Sequence, residues 1–214
     1  MGPRSGPPER RVRRRADLTA VLVGLAVLGA RMLDVRDGAV SGWEHRLFEM
    51  VNDLPDGLYP VLWPFQQLGA LAVGPLVALV AFALRRRSLA LAALVVTIAK
   101  LVSERVVKAI VSRIRPFTSI GPEITTRGDV AHHGESFVSG HVLLVTALAG
   151  IVTPYLGHRW QQIVPWAAVV VVAIARVYVG AHNPLDVVGG MGLGLAVAGT
   201  INLAVRVPER RSTS

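Results

Sequence analysis

The side chains best suited to chemistry in this sequence are histidines, arginines, a lysine and an aspartate that fall in three short segments. The segments are KAIVSRIRP at 108–116, GESFVSGHVLL at 134–144 and ARVYVGAHNPLDVVGG at 175–190. Because the chain has no cysteine, a thiolate nucleophile and a cysteine-ligated metal are both excluded. Any chemistry must therefore come from imidazole, hydroxyl and carboxylate groups.

The first segment has two cations near the end of an apolar stretch. Lys108 and Arg115 are seven residues apart, so they share one helix face if the helix persists to Pro116, which stops it. No carboxylate lies between the two cations. An anion such as phosphate would relieve their repulsion, with arginine offering forked donors and lysine a point charge. Snorkelling of both side chains at a membrane surface is the alternative.

The second segment has the features of a helix entry. Ser139 is a favourable N-cap, and Gly140 lets the backbone approach a ligand closely. The amides of the first turn and the helix dipole then form an anion site, and His141 is placed to donate to that anion. A plain helix cap with a surface histidine is the alternative.

The third segment combines Arg176, His182 and Asp186. Asn183 and Pro184 are typical of an N-cap and first helical residue, which puts Asp186 in the first turn, facing back toward the helix entry. A carboxylate bonded to one imidazole nitrogen fixes the tautomer and leaves the other nitrogen free to attack. A capping aspartate beside an interfacial histidine is the alternative.

The elements that must position these segments are predicted to be membrane helices. Of the 214 residues, 52% are hydrophobic and only 17% are charged, and the mean hydropathy is +0.49. A span needs about 20 mostly apolar residues. Six stretches qualify, and they predict an all-α, integral membrane six-helix bundle: Asp17–Leu33, Val61–Leu84, Ser88–Val107, Val138–Leu156, Gln161–Val179 and Val187–Val205.

Basic clusters at the ends of these spans predict the orientation. The net charge is +9, and clusters lie in the first fifteen residues, at Arg85–Arg87 and after the sixth span. Because cytoplasmic loops are enriched in lysine and arginine, both termini are predicted to be cytoplasmic and the three segments to face outward. The same rule disfavours nucleic acid as a partner. The predicted organisation is a disordered cytoplasmic tail at 1–16, a six-span domain at 17–206 and a cytoplasmic tail at 207–214.

Two features near the N-terminus lead to further predictions. The short uncharged run from Leu18 to Ala30 after a basic start is also typical of a signal peptide, but no clear small-x-small cleavage site follows, which favours a retained span. The segment 43–54 predicts an amphipathic helix along the outer surface, with an apolar face of Trp43, Leu47, Phe48, Val51 and Leu54.

Together the three segments resemble the signature of the membrane type 2 phosphatidic acid phosphatase superfamily. That signature is K-x6-RP, then PSGH, then SR-x5-H-x3-D, and the spacing and order agree throughout. The matching positions are Lys108, Arg115 and Pro116, then Ser139, Gly140 and His141, then Arg176, His182 and Asp186. Two positions depart from the pattern, because Val138 stands where the family has proline and Ala175 where it has serine.

The resemblance implies a cell-membrane hydrolase of lipid phosphates or diphosphates, such as a polyprenyl diphosphate, phosphatidic acid or phosphatidylglycerol phosphate. His182 would be the nucleophile, Asp186 would orient it, and His141 would protonate the leaving oxygen. The phosphate-binding residues would be Lys108, Arg115, Arg176, Ser139 and Gly140. No metal and no cofactor are expected, because three cations and a helix N-terminus supply the positive charge. Every charged and imidazole position survives, so the two departures predict reduced or retuned activity and not its loss.

Two other functions stay open at this point. A lipid phosphotransferase would pass the phosphate from the same site to a lipid acceptor instead of water. An impaired membrane scaffold or transporter would use the buried charges for assembly or ion passage.

The remaining ionisable residues have weaker predictions. Glu104 is four residues from both Lys100 and Lys108 and is expected to pair with one or both, with a proton relay as the alternative. Arg113 and Arg127 could widen an anionic funnel, although no spacing places them there. For His132 and His133 a surface role or a role at the rim of the site is favoured over metal binding.

Overall fold

The computed structural model describes residues 14–205, and within that range the regular elements are helices, joined by loops and turns, with one isolated bridge between Ile114 and Glu135. Two short 3-10 turns occur at Asp56–Leu58 and Thr153–Tyr155. The predicted tails at 1–13 and 207–214 lie outside the described residues, whereas residues 14–16 begin the first helix. The helices are α1 (Arg14–Asp34), α2 (Gly42–Asn52), α3 (Tyr59–Gln67), α4 (Val73–Ala83), α5 (Arg87–Ile110), α6 (Pro116–Ser119), α7 (Gly140–Val152), α8 (Arg159–Tyr178) and α9 (Pro184–Val205).

Helix α9 lies between α1 and α7 and packs closely against both through its glycines. A Cβ atom at Gly190 would lie 2.7 Å from the carbonyl oxygen of Ser139, and one at Gly194 would lie 2.6 Å from that of Leu143. On the α1 side, a Cβ at Gly192 would lie 2.9 Å from the carbonyl oxygen of Gly24. The absence of side chains at these glycines therefore lets two neighbouring backbones approach α9 closely.

Within residues 14–205, three helices are long and apolar enough to cross a membrane, namely α1, α8 and α9. Large apolar side chains also point outward from several helices, with Leu22 68%, Leu79 65% and Ile163 65% exposed. An apolar surface of this kind suits contact with lipid rather than water. The all-helical, membrane-compatible character of the prediction is confirmed.

The second predicted span is not a single helix. It divides into α3 and α4, with turns at residues 68–72. Pro64 lies inside α3, and a Cβ at Gly69 would lie 2.6 Å from the Cβ of His141. At the break, the backbone of Gly69 therefore packs directly against His141 at the start of α7. A residue with a larger side chain at this position would not fit.

The basic loop at Arg85–Arg87, which is predicted to be cytoplasmic, lies against the turn that follows α7. Arg86 donates from Nη1 to the carbonyl oxygen of Tyr155 at 2.9 Å, which joins the start of α5 to the end of α7. Lys108 begins the segment 108–116 and is 21 residues beyond Arg87 along α5. About 30 Å of helix therefore separates the basic loop from that segment.

Helix α2 forms where it was predicted, but it buries a different face. Glu44, Phe48 and Asn52 are buried, and Trp43 is 52% exposed. The buried residues are spaced i, i+4 and i+8, so they share one face. Two polar residues on a buried face are tolerated because both have partners in other elements. Asn52 donates to the carbonyl oxygens of Thr125 and Tyr178, and Glu44 accepts from Arg113.

Candidate active site

The first cation of the site is anchored along α5. Glu104 accepts from Lys108 Nζ at 2.7 Å and forms a second ion pair with Lys100 Nζ at 2.8 Å. All three side chains are largely buried. The predicted pairing is therefore confirmed for both lysines, and Glu104 fixes the position of the Lys108 ammonium group.

Arg115 reaches the site by a different route from the one predicted. Helix α5 ends at Ile110, and Arg115 is the extended residue that precedes α6. Lys108 and Arg115 therefore do not share a helix face as predicted, because the helix does not persist to Pro116. Arg115 instead donates from Nη1 to the carbonyl oxygen of Ala181 at 3.0 Å, directly beside His182.

The N-terminus of α7 has the predicted residues at its entry. Ser139 is the N-cap residue and Gly140 begins the helix. The Ser139 hydroxyl makes no capping bond and, although buried, has no hydrogen-bond partner among residues 14–205. A Cβ at Gly140 would collide with the Glu104 carboxylate, so a larger residue there would displace this carboxylate from its ion pairs with the lysines of α5.

His182 and Asp186 lie together at the start of α9. The distance from His182 Nδ1 to Asp186 Oδ2 is 3.7 Å, and both side chains are buried. Burial and then the charges of Arg176 and Arg115 lower the pKa of His182 well below its ordinary value. The imidazole is therefore neutral at neutral pH and has a lone pair available for attack.

Arg176 extends from the last turn of α8. Its Nη1 donates to Gln66 Oε1 at 2.9 Å, while its buried Nε has no hydrogen-bond partner in the described part of the chain. The Nε of Arg115 is in the same condition. Buried donors left over on two arginines are the groups that an anionic ligand would satisfy.

The structure brings the predicted site residues together around one imidazole. The charges that act on His182 are those of Arg176, Arg115, Lys108 and Glu104. His141 interacts electrostatically with Arg176 and His182. Ser139 joins them through its backbone, because its N–H donates to the carbonyl oxygen of Asp186 at 3.0 Å. The constellation of cations, paired histidines and a helix N-terminus suits phosphate binding and transfer.

The prediction that Arg113 and Arg127 widen an anionic funnel is wrong. Arg113 is fully buried between Glu44 and Asp186, at 2.6 and 2.8 Å. Burial alone lowers the pKa of Arg113, but the two carboxylates outweigh it and the net shift is upward. Arg127 is bound to Asp56 at 2.8 Å and lies over the ring of Tyr178. Both guanidinium groups are engaged in internal contacts.

Two residues near the site were missed by the sequence analysis. Glu44 comes from α2 and Gln66 from α3, and each binds an arginine of a later segment. For Glu44 a signal existed, because it shares one helix face with Phe48 and Asn52. Gln66 carries no comparable signal, since a single amide in an apolar helix does not reveal its partner.

His132 and His133 lie in the loop that follows α6. The ring of His132 stacks on Phe117 with centroids 4.2 Å apart, and His133 Nδ1 lies 3.3 Å from Thr118 Oγ1. Among the described residues, no group of three or more histidine, aspartate or glutamate side chains is arranged to hold a metal ion. The favoured role at the rim remains a prediction.

Comparison with known proteins gives matches in sequence and in fold. The model of the PAP2 superfamily matches residues 88–208. An undecaprenyl-diphosphatase of Sulfolobus acidocaldarius is 32% identical over 121 residues, which cover 56% of this chain and 57% of that protein. The match thus spans little more than half the length of that relative.

Two solved structures share the fold. One is a transmembrane PAP2 type phosphatidylglycerolphosphate phosphatase from Bacillus subtilis, with a TM-score of 0.63 and 21% identity over 87% of this chain and 94% of that one. The other is Aquifex aeolicus LpxE, with a TM-score of 0.59 and 22% identity over 74% of this chain and 93% of that one. At this level of identity the likeness concerns the fold. Because the matched residues 88–208 make up more than half of the sequence and contain all three chemical segments, this chain belongs to the PAP2 superfamily.

Proposed function

We propose that this protein is an integral membrane phosphatase that hydrolyses a lipid phosphate or diphosphate through a phosphohistidine on His182, without a metal ion. The observation that carries the proposal is the grouping of cations beside the buried His182. Arg115 donates to the carbonyl oxygen of the adjacent Ala181, and the charges of Arg176, Arg115 and Lys108 all lower the pKa of His182. Three cations around one neutral imidazole are costly unless an anion binds between them. A phosphate beside a nucleophile meets that requirement.

The first chemical step is attack on phosphorus by the His182 nitrogen that faces away from Asp186. Because Asp186 lies 3.7 Å from Nδ1, the attacking atom is Nε2. The new P–N bond forms as the bond to the leaving oxygen breaks, and His141 gives its proton to that oxygen. Asp186 stabilises the charge on the phosphorylated ring. The arginines and Lys108 stabilise the equatorial oxygens of the transition state.

The second step returns the site to its starting state. Water attacks the phosphohistidine, His141 accepts a proton from that water, and the P–N bond breaks to release inorganic phosphate. The two departures from the family pattern leave these groups intact. Ala175 and Val138 are both fully buried, so they alter packing behind the site rather than its charged groups.

The proposed setting is a cell membrane crossed six times, with the site on the extracytoplasmic face and both termini in the cytoplasm. In this arrangement α3 and α4 together form the second span of the 17–206 domain. The proposal is supported by the basic loop at Arg85–Arg87, which lies at the far end of α5 from Lys108. The lipid chain of the substrate then lies between helices while its phosphate reaches the site.

A polyprenyl diphosphate is the favoured substrate class, because the relative from Sulfolobus acidocaldarius is an undecaprenyl-diphosphatase. Phosphatidic acid and phosphatidylglycerol phosphate are the other substrates proposed. Lipid substrate and surrounding membrane lipids are the partners in this proposal, and nucleic acid is not one.

Phosphate release by the purified full chain in detergent micelles tests this function. We expect release from one or more of undecaprenyl diphosphate, phosphatidic acid and phosphatidylglycerol phosphate. We also expect the same rate with and without EDTA, since side chains supply the positive charge. Loss of activity on chelation, restored by added Mg²⁺, would contradict the metal-free mechanism. No release from any of the three lipids would contradict the phosphatase.

The same assay separates a hydrolase from a transferase. With an unlabelled lipid alcohol added, a hydrolase releases the labelled phosphate to water, whereas a transferase moves the label to the lipid. Label in the lipid fraction at the expense of free phosphate would favour the transferase.

A further inference from the structure

A buried chain of charged side chains leads from α2 to His182. Glu44 Oε2 accepts from Arg113 Nη2 at 2.6 Å, and Arg113 Nη1 donates to Asp186 Oδ1 at 2.8 Å. All three side chains have no exposed surface. With Oδ1 occupied by the guanidinium group, Asp186 presents its other oxygen, Oδ2, to His182 Nδ1. Arg113 thus binds the oxygen of Asp186 that is not paired with the ring.

The same carboxylates also fix the backbone at the start of α9. Glu44 Oε1 accepts from the backbone N–H of Leu185 at 2.9 Å, and Asp186 Oδ2 accepts from that of Asn183 at 2.9 Å. Glu44 therefore contacts both the guanidinium group and the first turn of the helix that carries Asp186. Three separate elements meet here: α2, the segment after α5, and α9.

Stability alone does not account for this arrangement. Two carboxylates and one guanidinium group are desolvated together, and apolar side chains of similar volume often give equal or greater stability. The charged groups add a fixed orientation of the two carboxylates, because the planar guanidinium group can bridge both in a defined geometry and a lysine cannot. The group also has a net charge of −1 next to an imidazole that becomes cationic when it is phosphorylated.

We propose that Glu44 and Arg113 are positioning residues that act on His182 through Asp186. This inference rests on the proposed function, and it assigns a role in the reaction to a residue of α2, outside the region matched by the family model. Neither residue touches the substrate in this scheme. Their effect is to hold Asp186 Oδ2 toward Nδ1, so that Nε2 keeps its lone pair for attack.

A double-mutant cycle tests whether Glu44 works through Asp186. The variants are Glu44→Gln, Asp186→Asn and the double variant. The control is Glu49→Gln, which removes an exposed carboxylate from the same helix. Glu44→Gln is expected to lower kcat about tenfold with little change in KM, because the phosphate-binding cations are untouched. In the Asp186→Asn background the same change should have no further effect.

Additive losses across the cycle would overturn the proposal, as would an unchanged kcat per folded molecule in Glu44→Gln. The Glu49→Gln control is expected to match the wild type. If Glu44→Gln does not fold, Arg113→Lys replaces it in the cycle, because it keeps the charge and loses the fork. The same loss of kcat, absent in the Asp186→Asn background, is expected.

A second readout does not depend on activity. In protein labelled with ¹⁵N-histidine, the ring signals of His182 report which nitrogen carries the proton, and a His182→Ala variant assigns them. We expect the Nδ1–H tautomer in the wild type and a smaller fraction of it in Glu44→Gln, with no change in Glu49→Gln. An unchanged tautomer in Glu44→Gln would overturn the positioning role of Glu44 even in an active enzyme. A changed tautomer in a protein without phosphatase activity would support that positioning role and reject the proposed function.

Discussion

Replacing His182 with alanine is expected to lower kcat for lipid phosphate hydrolysis by on the order of 10⁵-fold, because the nucleophile is removed. The ring is buried and surrounded by Arg176, Arg115 and Lys108. Those cations remain in the variant and still bind phosphate, so KM should change far less than kcat. The measurement is steady-state phosphate release on the lipid that the wild type hydrolyses fastest.

The control for this variant is His45→Ala. His45 lies on α2, its side chain is 43% exposed, and its nearest charged partner is Glu49 at 3.5 Å. Activity should equal that of the wild type. A His182→Ala protein that retains wild-type kcat would contradict the assignment of the nucleophile, and an equal loss in both variants would indicate a general folding defect.

Replacing Arg113 with alanine is expected to lower the free energy of unfolding by about 3–5 kcal/mol, the usual loss when one partner of a buried ion pair is removed. Glu44 and Asp186 would be left without their shared cation in a site where none of the three side chains is exposed. Both carboxylates would then be strongly driven to bind protons. Equilibrium unfolding by SDS titration from detergent micelles measures the loss.

The matched control is Arg31→Ala. Arg31 pairs with Asp34 at 2.9 Å, but the two side chains are 30% and 45% exposed. An exposed pair of this kind contributes about 0–1 kcal/mol. Similar losses in the two variants would contradict the view that burial makes the Arg113 cluster critical.

The chemistry of the site could be predicted from sequence because each segment is short and locally determined. His182, Asn183, Pro184 and Asp186 lie within one helix entry, and α9 begins at Pro184 as the pattern indicates. In the same way Ser139 precedes the first residue of α7. Capping preferences act over a few residues, so they do not depend on the rest of the fold.

The contacts that span distant parts of the chain could not be predicted in this way. Arg115 lies beyond the end of α5, and its approach to Ala181 depends on a chain reversal that helical periodicity does not describe. The partners Glu44 and Arg113 are 69 residues apart. A hydrophobic pattern predicts that the apolar face of α2 is buried. The buried cation Arg113 instead stabilises the Glu44 carboxylate in the interior, and the pattern contains no information about that partner.

The break between α3 and α4 has a similar origin. An apolar run of this length satisfies the criterion for a span whether or not the helix is continuous. Its interruption is favoured by tertiary contact, because Gly69 lies against His141 at the start of α7. Sequence thus predicts the apolar character of this region and leaves its helix boundaries to packing.

The most direct test of the account is to trap and locate the covalent intermediate. The wild-type protein is mixed with a lipid phosphate labelled with ³²P in the phosphate that is transferred, quenched in base within milliseconds, and digested for peptide mapping. We predict an acid-labile, base-stable label on the peptide that contains His182, and no label in His182→Ala. Phosphate release without any labelled peptide, or with the label on another residue, would contradict the account.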